Sequence, residues 1–454
     1  MSALAHFGDF LARNQERVRR VQWCVVGLYA FLLVVPVYLP LPGRLDFIWS
    51  NLTRFAQFVF WGIWWPGVIL SMFLVGRAWC GFLCPEGFLS EEASKRGLGR
   101  ALPRWITWPY WPVIAFALTT IYGQVASVYQ YPGPALVVLG GSTGAAIIVG
   151  LLFGRRKRVW CRYLCPVTTV FAVISKLAPF HFRVDGAAWA ASQARGEKPK
   201  PVNCAPLVPL RTMQGAADCH MCGRCSGFRG AIRLSLRSPA HEIVHVAGAS
   251  PKPAETVLII FGLMGLSVGA FHWSVSPIFI AIKQQLAAVL VEAGWLWPLE
   301  ATAPWWLMTN YPSHNDVFNL LDGAVIIAFM LAVTLACGIF ISSFVALATV
   351  CLGKFHTRRF HHLVQTLIPV AGVGVFIGLS ALTVTQLRMD GITIPYVDEV
   401  RAGLVLAASL FSAVLAWKVA RLYTASALRR AASLAAMIPV LIVADAGWWL
   451  FLSA

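Results

Sequence analysis

Eight of the eleven cysteines occur at spacings that suit metal–sulfur chemistry. Two segments repeat one another, Arg77-Ala-Trp-Cys80-Gly-Phe-Leu-Cys84-Pro85 and Arg158-Val-Trp-Cys161-Arg-Tyr-Leu-Cys165-Pro166. On a helix, cysteines four residues apart project from the same face, so each copy presents two thiols together. Two such pairs brought face to face supply four thiolates, the number that a [4Fe–4S] cluster or a tetrahedral zinc ion requires. We therefore predict one metal site built from Cys80, Cys84, Cys161 and Cys165.

A second group of cysteines follows in Cys219-His-Met-Cys222-Gly-Arg-Cys225. This C-x2-C-x2-C run is the core of the bacterial ferredoxin motif, but the usual fourth Cys-Pro is missing. Cys204, 15 residues upstream, is our first choice for the fourth ligand. In a competing scheme Cys84 or Cys165 completes this group and Cys204 joins the first. The sequence leaves both schemes open.

Iron–sulfur ligation is favoured over structural zinc because zinc ligands usually come as paired C-x2-C knuckles. Basic residues close to the sulfurs would offset the negative charge of a thiolate-bound cluster; they are Arg77, Arg158, Arg162, Arg224 and Arg229. The three remaining cysteines lie in apolar stretches without partners at ligand spacing, and we expect them to be small buried apolar residues; they are Cys24, Cys337 and Cys351.

The elements that must position these cysteines are membrane spans. Of the 454 residues, 58% are hydrophobic and 12% charged, against roughly 25% charged in a soluble domain, which excludes an ordinary soluble enzyme. Nine apolar stretches approach the ~20 residues that cross a bilayer. They are 21–41, 57–76, 108–130, 134–153, 255–274, 319–350, 363–387, 402–420 and 431–453. The stretch 319–350 is long enough to tilt or to break near Gly338, and 277–297 is a candidate surface helix.

The net charge of +18 is explained by topology. With the N-terminus in the cytoplasm, alternate loops hold 32 Lys and Arg residues on the cytoplasmic side and five on the other. This is a strong positive-inside signal, and it argues against nucleic-acid binding. We predict an all-α polytopic membrane protein of about nine helices in two bundles, multi-pass in the bacterial inner membrane. The domains are a first bundle at 1–153, a cytoplasmic iron–sulfur segment at 154–254 and a second bundle at 255–454.

The duplicated Cys-x3-Cys-Pro and the later cysteine run resemble the membrane polyferredoxins of the NapH, NosR and MauN type over about residues 15–240. The chain departs from the NapH pattern in having one incomplete ferredoxin-type run and an added second bundle. Its layout is most similar to the FtrD-type polyferredoxin of bacterial ferrous-iron uptake systems. That resemblance implies two [4Fe–4S] clusters and electron transfer to a periplasmic cupredoxin or copper-containing iron protein, beside an iron permease.

Electrons at the inner edge need a relay across a hydrocarbon core ~30 Å thick. In the second bundle, Phe360-His361-His362-x2-Gln365-Thr-Leu-Ile-Pro369 opens a helix. We predict a quinone site there, with His361, His362 or Gln365 as hydrogen-bonding groups. The resulting hypothesis is an electron-transfer component, quinol dehydrogenase-like and not a stand-alone enzyme, that works between the quinone pool or a cytoplasmic donor and a periplasmic metalloprotein. The alternatives are a cluster-regulated ion transporter and a structural zinc membrane scaffold.

Overall fold

A computed structural model describes residues 3–43 and 45–453. The chain forms two compact units that interleave along the sequence. The first unit comprises residues up to Leu32, Gly67–Pro112 and Gly141–Pro251; the second comprises Leu33–Pro66, Val113–Gly140 and the chain from Lys252 onwards. All eight cysteines of the predicted metal sites lie in the first unit, and the three predicted quinone ligands lie in the second. The three consecutive domains inferred above stay a prediction.

The structure is mostly helical, as predicted. The α-helices are Ala3–Arg13, Gln15–Val34, Leu52–Gln57, Trp65–Val75, Ala78–Phe82, Pro85–Ser94, Trp111–Val125, Pro132–Ala135, Gly141–Phe153, Val159–Tyr163, Thr168–Ile174, Gly186–Ala194, Pro253–Val257, Ser267–His272, Pro277–Glu292, Trp297–Glu300, Leu320–Cys351, Thr357–Gln365, Ile368–Met389, Val397–Tyr423 and Ala427–Ser453. Four π-helical segments, Phe58–Trp64, Leu136–Gly140, Glu242–Val246 and Leu258–Leu266, join or extend them. Short 3₁₀ turns are Val35–Tyr38, Ser175–Leu177, Leu210–Thr212, Phe228–Gly230, Trp273–Val275 and Pro312–His314.

Two small antiparallel pairs of strands complete the fold. Phe180–Val184 pairs with Ile232–Leu236 in the first unit, and Asn310–Tyr311 pairs with Asp316–Val317 in the second. The first pair brackets the segment that carries Cys204 and the C-x2-C-x2-C run. Its inward side chains Phe182, Ile232 and Leu234 pack in one apolar cluster with Cys219 and Cys225. The strands therefore close a small core around the second cysteine group.

Eight helical segments among the described residues are long and apolar enough to cross a membrane. They are Gln15–Tyr38, Leu52–Val75, Pro132–Phe153, Pro253–Val275, Leu320–Cys351, Ile368–Met389, Val397–Tyr423 and Ala427–Leu452. The third predicted stretch, 108–130, is present as a shorter apolar helix, Trp111–Val125. At 1.5 Å per residue, its 15 residues extend only about 22 Å, because Tyr110 and Ser127 lie in turns at either end.

The longest helix, Leu320–Cys351, is continuous through Gly338. Its start is fixed by a capping box, in which Asn319 and Asp322 each accept a backbone N–H of the other. A Cβ at position 338 would lie 2.1 Å from the ring of Phe261, so the glycine allows close helix packing and does not break the helix. Pro277–Glu292 is a helix as predicted, and Ile278, Val289 and Val291 on it are exposed.

In the first unit, helix Pro85–Ser94 packs along helix Gly141–Phe153. A Cβ at Gly150 would lie 2.5 Å from the carbonyl oxygen of Ser90, and one at Gly154 would lie 2.3 Å from the Cβ of Ser94. Only glycine permits this approach. The helix that follows the first Cys-x3-Cys-Pro thus lies against the helix that leads into the second.

Candidate metal centres

The two copies of the duplicated motif have the same local structure. Cys80 lies in helix Ala78–Phe82 and Cys161 in helix Val159–Tyr163. Each helix ends before the second cysteine, whose backbone N–H donates to the carbonyl of the motif's tryptophan at 3.0 Å in both copies. The prediction that both cysteines of a copy share one helix is therefore wrong in detail. The tight turn after the helix, rather than helical spacing, directs Cys84 and Cys165.

The four cysteines of the duplicated motif come together in one group. The thiol of Cys84 interacts electrostatically with those of Cys80 and Cys161, and the thiol of Cys165 interacts with those of Cys161 and Cys84. Burial raises the pKa of Cys161 to about 12 and holds the pKa values of Cys84 and Cys165 well above the ordinary range. Such thiols ionise when a bound cation supplies the missing charge, so metal binding releases protons.

The second group gathers Cys204 with the C-x2-C-x2-C run. Cys225 interacts electrostatically with Cys219, Cys222 and Cys204, and Cys204 interacts with Cys222. Burial raises the pKa of Cys219 to about 12 and raises those of Cys204 and Cys225. The backbone of the run turns sharply because Met221 and Gly223 adopt positive φ angles of 54° and 75°. The structure thus brings Cys204 to this group, while Cys84 and Cys165 lie with Cys161.

The second group lines a small cavity that is partly open to solvent. Its lining combines the four cysteines with apolar side chains such as Val208 and Leu210. Three buried nitrogens around the two groups have no hydrogen-bond partner within the described chain, namely Arg77 Nε, Arg158 Nη2 and His220 Nδ1. Thiolate sulfurs, an apolar cavity and unpaired N–H donors together fit a [4Fe–4S] cluster, whose sulfurs accept hydrogen bonds. In the described part of the chain, no three His, Cys, Asp or Glu side chains are close enough to hold a single metal ion.

The two cysteine groups are in backbone contact at Gly81, between Cys80 and Cys84. A Cβ at this position would lie 2.2 Å from the carbonyl oxygen of His220 and 3.2 Å from the backbone nitrogen of Cys222. Helix Gln15–Val34 contacts both loops, because Gln22 donates to the carbonyl of Gly81 at 2.9 Å and Gln15 to that of Cys222 at 3.0 Å.

Three of the five arginines expected beside the sulfurs interact electrostatically with a cysteine thiol, namely Arg77, Arg158 and Arg224. Arg77 and Arg158 are buried against both groups; Arg224 pairs with Glu91 at 2.5 Å and Arg162 with Asp218 at 2.8 Å. Arg229 is different. Its guanidinium lies 5.7 Å from the ring centre of Trp189 and hydrogen-bonds Ser192 and Glu197. These contacts tie Arg229 to helix Gly186–Ala194 and the turn after it, and its proximity to the sulfurs stays a prediction.

Sequence reasoning missed two carboxylates. Glu91, buried on the helix after Cys84, accepts from both Arg158 and Arg224. Glu86 lies two residues after Cys84 and accepts a hydrogen bond from Trp160 at 3.2 Å; burial raises its pKa. The position of Glu86 directly after Cys84-Pro85 is a signal that could have drawn attention to it. No local pattern indicates that Glu91 meets Arg224.

The remaining cysteines are not brought to either group. Cys337 and Cys351 are half-buried on helix Leu320–Cys351. Cys24 lies on an exposed face of helix Gln15–Val34, so the expectation that it is buried is wrong. The apolar helix around Cys24 also has an exposed face, which makes few contacts with the rest of the described chain.

Each of the three side chains predicted to bind a quinone is hydrogen-bonded to another side chain of the second unit. His361 Nδ1 lies 2.7 Å from the hydroxyl of Thr256, and His362 Nδ1 lies 2.8 Å from that of Tyr423. Gln365 Nε2 donates to a buried oxygen of Glu255 at 3.2 Å. His362 and Gln365 are buried, whereas His361 is half-buried. All three side chains lie on helix Thr357–Gln365 and have polar partners.

Comparison with known proteins agrees with the geometry. A 4Fe-4S binding domain matches residues 57–106 and 137–185. Each matched segment contains one Cys-x3-Cys-Pro copy and the helix before it, and neither reaches the run at 219–225. The duplication deduced from nine-residue motifs therefore extends over a whole domain.

Two curated proteins are similar to the chain. One is YccM of Escherichia coli (strain K12), whose name provisionally assigns it to electron transport; it is 26% identical over 242 residues, covering 46% of this chain and 65% of YccM. The other is the regulatory protein NosR of Pseudomonas aeruginosa, 25% identical over 265 residues, covering 49% of this chain and 34% of NosR. The chain thus spans less than two thirds of either relative. No solved structure matches significantly.

These matches agree with the predicted resemblance to membrane polyferredoxins: two segments match the 4Fe-4S binding domain, and YccM and NosR are each similar over about half of the chain. The chain is a largely helical, multi-pass membrane protein with two segments that match a 4Fe-4S binding domain. The comparisons do not test membership of the ferrous-iron uptake subfamily, so that membership stays a prediction.

Proposed function

We propose that this chain relays single electrons through two [4Fe–4S] clusters between the quinone pool or a cytoplasmic donor and a periplasmic metalloprotein. The observation that carries the proposal is the gathering of eight cysteines into two groups of four that touch at Gly81. Cubane clusters each take four cysteine thiolates and exchange one electron at a time. The clusters supply the redox chemistry, and the chain binds, positions and insulates them.

The first cluster is assigned to Cys80, Cys84, Cys161 and Cys165, and the second to Cys204, Cys219, Cys222 and Cys225. Support comes from the electrostatic neighbours of each thiol, which favour this pairing over the scheme that exchanges Cys204 with a Cys-Pro cysteine. We further propose that both clusters lie at the cytoplasmic face of the inner membrane. The excess of Lys and Arg in the loops on that side supports this orientation.

A quinone headgroup site is proposed at His361, His362 and Gln365. Imidazole and amide groups at the edge of a membrane helix hydrogen-bond quinone carbonyls, and the site is already polar because Thr256 and Tyr423 contact the histidines. Quinol oxidation there would release two protons and two electrons. Each electron would reduce one cluster or an external acceptor. The test is the binding of a fluorescent quinone analogue, followed by the quenching of its fluorescence. The affinity for the analogue should fall at least tenfold in His362→Ala and remain unchanged in the control variant His314→Ala.

The periplasmic partner is proposed to be a cupredoxin or a copper-containing iron protein, with an iron permease in the same system. This part of the proposal rests on the resemblance to the FtrD-type polyferredoxin. Purification of the complex from membranes, followed by metal analysis of the co-purifying proteins, tests it directly. Absence of any copper protein and of any permease would remove ferrous-iron uptake from the proposal.

The cluster content is tested by anaerobic purification of the full chain. Iron and acid-labile sulfide are measured, and electron paramagnetic resonance spectra are recorded after dithionite reduction. Two cubanes predict about eight iron atoms per chain. About four would refute the first cluster assignment, and stoichiometric zinc without a paramagnetic signal would refute the relay and favour a zinc scaffold.

Ligand assignment is tested by two matched cysteine variants. Cys222→Ser should lose one cluster signal and about half the iron, because this thiolate has no substitute in its loop. Cys337→Ser should lose neither, since Cys337 lies alone on a spanning helix. Equal losses in the two variants would contradict the assignment.

A further inference from the structure

The duplication places an arginine three residues before the first cysteine of each copy, Arg77 and Arg158. Both are nearly inaccessible, with 4% and 1% of their surface exposed. Burying a guanidinium costs several kcal/mol unless its N–H groups are paired. The hydrogen-bond partners of these two side chains therefore indicate their role.

Arg158 connects the two cysteine groups. Its Nη1 donates to the carbonyl of Cys80 at 2.5 Å, while its backbone N–H donates at 2.8 Å to the carbonyl of Ala205, the neighbour of Cys204. Its Nε donates to Glu91 at 2.8 Å, and the same carboxylate accepts from Arg224 of the second group. Arg158 therefore contacts the first loop directly. It is linked to the second group by its backbone hydrogen bond to Ala205 and by the carboxylate of Glu91 that it shares with Arg224.

Arg77 makes the corresponding connection from the other copy. Its Nη1 donates at 3.1 Å to the carbonyl of Ala217, two residues before Cys219. Its Nη2 donates at 2.7 Å to the hydroxyl of Thr168, which in turn donates to the carbonyl of Cys161. The two arginines thus occupy equivalent positions between the groups.

Each arginine also keeps one buried nitrogen without a partner within the described chain, Nε in Arg77 and Nη2 in Arg158. Leaving a buried donor unpaired is unfavourable. The cost disappears if a cluster sulfur accepts the hydrogen bond. One such nitrogen occurs in each copy, although at different positions of the two guanidinium groups.

We propose that Arg77 and Arg158 are positioning residues shared by the two bound clusters. Their guanidinium charges and unpaired N–H groups act on both clusters, so the reduction potentials of both clusters depend on the same two side chains. The inference rests on the proposed two-cluster function. Reduction adds a negative charge to a cluster, so a fixed positive charge and N–H donors nearby favour the reduced form. Because arginine does not lose its proton in proteins, the effect persists at every physiological pH.

The test is a redox titration of the anaerobically purified full chain, followed by electron paramagnetic resonance. Arg77→Gln and Arg158→Gln should each shift the midpoint potentials of both clusters to more negative values. Arg229→Gln is the control, because it removes the same charge from the first unit while its guanidinium lies on the ring of Trp189. A shift of one cluster only, or none, in both arginine variants would overturn the inference.

Glu91→Gln separates charge from structure and applies even if the arginine variants fail to bind clusters. It removes a negative charge from the same network, so both potentials should become more positive. A purely structural role predicts no such reversal of sign, and unchanged potentials in Glu91→Gln would overturn the inference. If the wild-type chain itself contains no iron–sulfur clusters, the proposed function fails instead, and iron analysis distinguishes that outcome.

Discussion

Gly81 is the position at which a single methyl group should separate the two metal loops. In Gly81→Ala the new Cβ would lie 2.2 Å from the carbonyl oxygen of His220 and 3.3 Å from Cα of Cys222. These are backbone atoms, which cannot swing aside as the end of a long side chain can. Restoring an ordinary contact of about 3.4 Å requires one loop to move by roughly 1 Å.

Overpacking of this kind typically costs about 1–3 kcal/mol, and the severity of the contact favours the upper value. About 3 kcal/mol corresponds to a change on the order of 100-fold in the equilibrium between docked and separated loops. Two consequences should appear together in the anaerobically purified chain. Its thermal unfolding midpoint should fall, and the magnetic interaction between the two reduced clusters should weaken in the electron paramagnetic resonance spectrum.

Gly186→Ala is the control, because a Cβ at Gly186 meets nothing within 4 Å and the residue opens helix Gly186–Ala194 of the same unit. This variant should bind the same amount of iron as the wild type and unfold at the same temperature or slightly above it. If Gly81→Ala unfolds like Gly186→Ala and keeps the full magnetic interaction, the close approach of the two loops is refuted.

Three further predictions concern the first unit. Cys204→Ser should lose the same cluster signal that Cys222→Ser loses, together with about half the iron. Loss of the other cluster signal would favour the scheme in which Cys204 belongs to the first group. Glu91→Ala leaves the buried guanidinium of Arg158 and the partly exposed one of Arg224 without their shared carboxylate. It should lower the free energy of unfolding by about 3 kcal/mol, mainly through Arg158, as measured by denaturant titration; a change below 1 kcal/mol would contradict the buried pair. Burial, together with nearby Arg237, lowers the pKa of His181 to about 4. The unfolded chain then takes up a proton near pH 6.5 that the folded chain does not, so stability falls as the pH decreases from 6.5 towards 4. The loss from this residue should reach about 1–2 kcal/mol at pH 5, and thermal unfolding of His181→Gln should show a flatter pH profile than that of His314→Gln.

The membrane character and the helical class followed from composition, because spans of apolar residues are local properties. The span predicted at 108–130 is instead the shorter apolar helix Trp111–Val125, because hydropathy continues through residues that the chain uses for turns at Tyr110 and Ser127. The helical spacing assigned to Cys80 and Cys84 was also too simple, since a five-residue helix ends between them. Local periodicity does not reveal where a short helix stops.

The sequence by itself determined the chemistry of the sites. Eight cysteines at fixed spacings, a repeated nine-residue motif and an uneven charge distribution are properties of short segments. The tertiary structure decided which cysteines belong together and what lies between them. The association of Cys204 with Cys225, the meeting of Glu91 with Arg224 and the contact at Gly81 join residues far apart in the chain. Such contacts depend on how helices and loops pack in three dimensions, and no local pattern encodes them.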